Sequence, residues 1–112
     1  MGILNRLIVH KTSGDRRWRA TPYPGVEVCG LRPNDSGGGA LLVKIARGAR
    51  FPEHDHPGGE EVYVVSGRAR VGNALLEAGD YLWTPPGGTH DLRAEEDTVL
   101  FVTSLSGIRV LE

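Results

Sequence analysis

Glycine and proline interrupt this chain so often that no long helix can form. Sixteen glycines and seven prolines are spread through 112 residues, and the apolar runs between them are too short for stable helices. These runs are Ile3–Val9, Val26–Leu31, Ala40–Ala46, Glu60–Val65, Ala69–Val71, Tyr81–Thr84, Val99–Thr103 and Ile108–Leu111. Most are rich in valine, leucine, isoleucine or aromatic residues, the composition of half-buried pleated strands. Short strands separated by Gly/Pro turns predict an all-β sandwich or barrel. The length suits one domain spanning residues 1–112.

Alternation assigns faces. In Ala40–Ala46, Leu41, Val43 and Ile45 share one side, and Lys44 lies opposite, where it must reach solvent. In Glu60–Val65, Glu60, Val62 and Val64 form one row, while Glu61, Tyr63 and Val65 form the other. The stretch Pro33-Asn34-Asp35-Ser36-Gly37-Gly38-Gly39 is expected to be a mobile connection.

Charge and cysteine content exclude several function classes. The net charge is −1, from 13 basic and 14 acidic residues, so there is no field to draw a nucleic acid. Arg16, Arg17 and Arg19 form the only basic cluster and are read as a solvated face. Cys29 is the sole cysteine, so an intrachain disulfide or thiolate cluster is impossible and a small buried side chain is expected. No apolar run approaches the roughly 20 residues of a membrane span, and the first residues carry no secretory leader pattern. A cytoplasmic location is the resulting expectation.

The chemistry concentrates in two segments, Gly48-x5-His54-x-His56-x3-Glu60-x6-Gly67 and Gly79-x5-Pro85-x-Gly87-x2-His90. On an extended chain, two histidines one residue apart point to the same side. Pro57-Gly58-Gly59 turns the chain so that a carboxylate can return to the same point. Period two selects Glu60 over its rival Glu61. Pro85-Pro86-Gly87-Gly88 makes a rigid turn that delivers His90. Imidazole nitrogens with a carboxylate suit one divalent ion: zinc, iron, nickel, cobalt or manganese. An isolated His-x-His is usually an exposed loop pair, but this one is joined by a carboxylate and a third histidine, each in its own Gly/Pro frame. His10, beside Lys11, is a bystander.

These two segments resemble the signature motifs of the cupins, double-stranded β-helix barrels. The likeness covers Gly48 to His90 and departs at Ala94, where the second motif often closes on asparagine. It implies a jelly-roll barrel, with His54, His56, Glu60 and His90 as metal ligands and the barrel interior as a pocket. Within the superfamily, His56-Pro57-Gly58-Gly59-Glu60-Glu61 and Pro85-Pro86-Gly87-Gly88-Thr89-His90 look like two subgroups. One is the cupin domain of zinc-binding anti-sigma factors, and the other is the small dioxygenases that cleave diketones or related compounds.

Two functions follow as expectations. The first is a metal-dependent oxidoreductase of dioxygenase type acting on an enolisable small molecule, with Glu60 as both ligand and general base. The second is a non-catalytic ligand-sensor module in which zinc closes the site. A complete anti-sigma factor is not expected, since a helical sigma-binding segment finds no room before Val26. Tyr63 and Trp83 are assigned to core or interface packing, and Arg50, Asp91 and Arg93 to contact with water in preference to substrate. Tyr63 and Val65, on an outward row, could pair with a second copy, so a homodimer is expected.

Overall fold

The glycines that frame the first histidine segment sit where the backbone turns. Gly48 and Gly67 have φ of 83° and 87°, a left-handed conformation that costs a residue bearing a Cβ about 1–2 kcal/mol. At Gly67 space is also lacking, because a Cβ would lie 2.2 Å from the Asp97 carbonyl oxygen.

The computed structural model describes residues 8–112. Turns of this kind separate eleven strands: β1 (Arg19–Ala20), β2 (Val26–Pro33), β3 (Gly39–Ile45), β4 (Arg50–Asp55), β5 (Glu60–Ser66), β6 (Arg68–Val71), β7 (Ala74–Glu77), β8 (Tyr81–Thr84), β9 (Thr89–Ala94), β10 (Thr98–Ser104) and β11 (Arg109–Val110). Among the described residues the only helical element is a single 3-10 turn, Ser13–Asp15. Seven of the eight expected runs are strands, with bounds within two residues. The eighth, Ile3–Val9, lies mostly outside the described residues, and its last two, Ile8 and Val9, are exposed and not in a strand.

The strands form two antiparallel sheets, one of six strands ordered β1-β2-β3-β10-β5-β8 and one of five ordered β11-β4-β9-β6-β7. Their inner faces meet over a core that includes Val26, Ile45, Val64, Val71, Leu92 and Leu100. This is the expected jelly-roll barrel. The alternation in β5 holds as predicted: Glu60, Val62 and Val64 are buried, whereas Glu61, Tyr63 and Val65 are exposed.

The outer face of the larger sheet bears out the burial expected of Cys29 and departs from the expectation at Lys44. Cys29, Leu42, Phe101, Tyr63 and Tyr81 lie in one cross-strand row from β2 to β8. Cys29 and Leu42 are buried, although they point away from the barrel, because Lys11, Thr12 and Arg16 share a hollow with them. Lys44 does not simply reach solvent, since its Nζ stands 4.2 Å from the centre of the Trp18 ring, a favourable cation–π distance. Tyr63, Val65, Tyr81 and Trp83 remain exposed.

The loop after β2 is fastened rather than loose. Asn34 Nδ2 donates to the Ser104 carbonyl at 3.2 Å and Ser36 Oγ to that of Leu105. Gly38 packs so tightly that a Cβ would stand 2.1 Å from the Ser104 oxygen.

Candidate metal centre

Two of the four candidate side chains come from the smaller sheet. His54 on β4 and His90 on β9 are direct cross-strand partners, the arrangement that brings side chains on one face into contact. A bulge makes this pairing possible. Phe51 pairs with Leu92 and His54 with His90, so Pro52 and Glu53 together oppose Asp91 alone. The extra residue lets Phe51 and His54, three apart, both face the barrel interior. Proline suits the position, having no amide hydrogen to lose from the ladder.

His56 follows the end of β4, and the turn through Gly59 returns the chain to Glu60, the first residue of β5 in the larger sheet. Gly59 has φ of 82°, and a Cβ on it would stand 2.6 Å from the Trp83 ring. The turn thus closes flat against an aromatic plate on the outer side. The site consequently spans the seam between the sheets.

One ligand-type atom from each of His54, His56, Glu60 and His90 falls within 4.8 Å of the others. Two ligands, each about 2.1 Å from a common ion, stand at most about 4.2 Å apart, so movements well under an ångström would gather the set. The ring centroids of the three imidazoles are 4.4 to 4.8 Å apart. His56 is wholly buried, Glu60 6% exposed and His54 4% exposed, which makes an unpartnered polar atom here costly.

Hydrogen bonds settle which ring nitrogens face inward. His54 Nδ1 lies 2.8 Å from the Pro52 carbonyl oxygen and His56 Nδ1 2.7 Å from that of Gly88. A carbonyl only accepts, so both Nδ1 atoms carry the proton and both Nε2 lone pairs are left for the centre. His56 Nε2 is buried and lacks a hydrogen-bond partner. It lies 3.3 Å from Glu60 Oε1, so with the proton on Nδ1 a lone pair there faces a carboxylate oxygen, a repulsion that a cation between them would relieve. An orphaned buried nitrogen aimed at a carboxylate and two more imidazoles fits a divalent cation.

Burial works against ionisation of Glu60, but the His56 and His90 imidazoles outweigh it and draw its carboxyl down to about 2. Burial, chiefly, lowers the basicity of His54. For His56 burial acts the same way, yet the Glu60 carboxylate and the Gly88 carbonyl raise it overall. At neutral pH the site therefore presents a carboxylate ready to bind a cation.

Sequence reasoning missed the neighbour of His90 and the partner of Asp55, whereas the apolar pocket inside the barrel was expected. Thr84, buried at the end of β8 and paired with Glu60, places Oγ1 3.4 Å from His90 Nδ1. It lies on the same row as Leu82, so a hydroxyl on an inward row was the available signal. A cavity of about 420 Å³ opens onto His54, Glu60 and His90, and its walls are mainly aliphatic, including Leu41, Val43, Val62 and Leu100. Gly37, Gly38, Ser104, Ser106 and Ile108 also border it. Arg109 pairs with the buried Asp55, between the two histidines, which was not foreseen either.

Other expectations resolve more simply. Tyr63 and Trp83 lie on the outer face and do not line this cavity. Arg50 and Asp91, expected to meet water, bind each other at 3.0 Å, and Arg50 also grips Glu112 at 2.7 Å. Arg93 is exposed opposite Arg50 in the β4–β9 register. Among the described residues no helix is long and apolar enough to cross a membrane.

Comparison with known proteins agrees with this architecture. A chain of the complex of SigE with the anti-sigma ChrR from Rhodobacter sphaeroides superposes with a TM-score of 0.73 at 28% identity, covering 85% of this chain and 52% of that one. The acetylacetone dioxygenase of Acinetobacter johnsonii gives a TM-score of 0.79 over 94% of this chain and 77% of its own, at 15% identity, a likeness of fold alone. The DNA damage-repair/toleration protein DRT102 of Arabidopsis thaliana is 37% identical over 70 residues, 57% of this chain but only 23% of that protein. The family profile of the ChrR cupin-like domain matches residues 6–108, and the chain belongs to that family.

Proposed function

We propose that this protein is a mononuclear metal-binding cupin that acts as an enzyme of dioxygenase type on an enolisable small molecule. His54, His56, Glu60 and His90 are the ligands of one divalent ion in this proposal. One observation carries it: the aliphatic cavity of about 420 Å³ ends on His54, Glu60 and His90. A centre that only braces the fold is closed by protein, whereas a reactive centre keeps a position open to substrate. A bound divalent ion would supply Lewis acidity toward a chelating substrate and, if redox-active, a route for electrons to molecular oxygen.

The chain's own groups support this chemistry. Glu60, at the inner end of the cavity, is placed to accept the proton from a carbon beside a carbonyl. Leu41, Val43, Val62 and Leu100 keep water from the reacting atoms. The Pro52 and Gly88 carbonyls hold two imidazoles in their ligating tautomer.

The second reading is a ligand-sensing module with four-coordinate zinc. The family match and the likeness to a chain of the SigE–ChrR complex favour it. Metal analysis of protein purified without added metal, together with oxygen uptake on β-dicarbonyl compounds, separates the two. Iron, nickel or manganese with oxygen uptake is the expected result, while closed four-coordinate zinc without turnover would establish the sensor. His56→Ala is expected to abolish metal retention, and full metal content in that variant would contradict the ligand assignment.

A further inference from the structure

We infer that the ligand of this site is a singly charged chelator with a short hydrocarbon tail, and that sugars, phosphates and molecules with a second carboxylate are excluded. The inference rests on the metal-centre reading above and comes from the charges and donors around the cavity.

A divalent ion with one carboxylate ligand, Glu60, and neutral imidazoles leaves a net charge of +1 at the site. One negative charge, such as an enolate or hydroxamate, balances it. Among the described residues no lysine or arginine lines the cavity, so a second anionic group would be buried without a partner, which is strongly unfavourable.

Away from the ligands, the side chains bordering the cavity are almost all hydrocarbon. They include Val28, Leu41, Val43, Phe51, Leu92 and Val102. Among the described residues, the hydroxyls of Ser104 and Ser106 are the other polar side-chain groups that border it. A polyhydroxylated ligand would lose its water bonds and find almost no replacements. A tail of a few methylenes, by contrast, gains from each carbon buried. The volume of about 420 Å³ sits near the lower end of small-molecule pockets, which limits tail length.

Isothermal titration of the metal-loaded protein with three hydroxamates tests this, and metal content is measured on the same samples. Acetohydroxamate supplies the chelating head alone, hexanohydroxamate adds four methylenes, and adipic monohydroxamate ends a similar chain in a carboxylate. Each buried methylene is worth about fourfold in affinity, so hexanohydroxamate should bind at least tenfold more tightly than acetohydroxamate. The carboxylate-tipped compound should lose that gain. Val43→Phe, which narrows the cavity, should erase the chain-length gain, and its metal content reports whether the centre is intact.

Equal affinity for all three compounds on a metal-loaded protein would overturn this inference and leave the metal centre standing. Failure of every hydroxamate to bind, with metal retained, would overturn the open-site reading and this inference together. Loss of metal from the unaltered protein would remove the ground of both.

Discussion

Thr84→Val tests how the third imidazole is held. The Nδ1 atoms of His54 and His56 are fixed by main-chain carbonyls at 2.8 and 2.7 Å, which no side-chain substitution removes. His90 has instead the Thr84 hydroxyl, at 3.4 Å. Loss of an outer partner of a metal-binding histidine costs about 10–100-fold in affinity. Because 3.4 Å is long for a hydrogen bond, the low end applies here: about tenfold, or about 1.4 kcal/mol. Valine has nearly the same shape but leaves His90 Nδ1 without this partner, so metal-free stability should fall slightly, by at most about 1 kcal/mol. Competition against a chromophoric chelator at neutral pH reads the affinity, and thermal melts in excess chelator read the stability. Thr84→Ser should restore binding. An unchanged affinity in the valine variant would show that packing alone orients His90, and the reasoning would fail.

The other predictions concern the frame around the site. Gly67→Ala should lower stability by more than about 1–2 kcal/mol, since the left-handed backbone and the Asp97 carbonyl both oppose a Cβ; a urea midpoint matching the parent would refute this. Arg50, and then the Glu53 amide, hold the Glu112 carboxyl at about 2, below its ordinary 4.5. A depressed carboxyl stabilises above its unfolded value, and the benefit fades as pH falls through the folded one. The small Tm advantage of the parent over Glu112→Gln should thus be full above about pH 5 and gone near pH 2; convergence at high pH would contradict it. Sedimentation tests the homodimer expected from the outward Tyr63 and Val65, beside which Tyr81 and Trp83 are exposed as well. A parent dimer that Tyr63→Lys converts to monomer supports it, and a monomeric parent sinks it.

Much of the centre was legible because its spacing is set by covalent geometry. Two histidines one apart, a glycine turn and a returning carboxylate converge on an extended backbone whatever surrounds them. The strands that carry the histidines were harder to see. Arg50-Phe51-Pro52-Glu53-His54-Asp55 and Thr89-His90-Asp91-Leu92-Arg93-Ala94 place polar groups where a strand pattern expects apolar ones, because the inward side chains serve the centre. β1, with two residues, is too short to hold a period. The cover over Cys29 and Leu42 was hidden for a different reason, since Lys11, Thr12 and Arg16 carry no apolar signal. The clue lay in the covered strand: Leu41-Leu42-Val43 is apolar on successive residues, as strands buried on both faces are.

The bulge at Pro52 and Glu53 has a consequence for any tinkering with this strand. Because side chains swap sides at every step, length there behaves like a reading frame. Removing one residue between Phe51 and His54 would alter no ligand, yet it would rotate one ring or the other out to the solvent. Arithmetic along β4, as much as the chemistry of imidazole, decides whether the barrel has a centre at all.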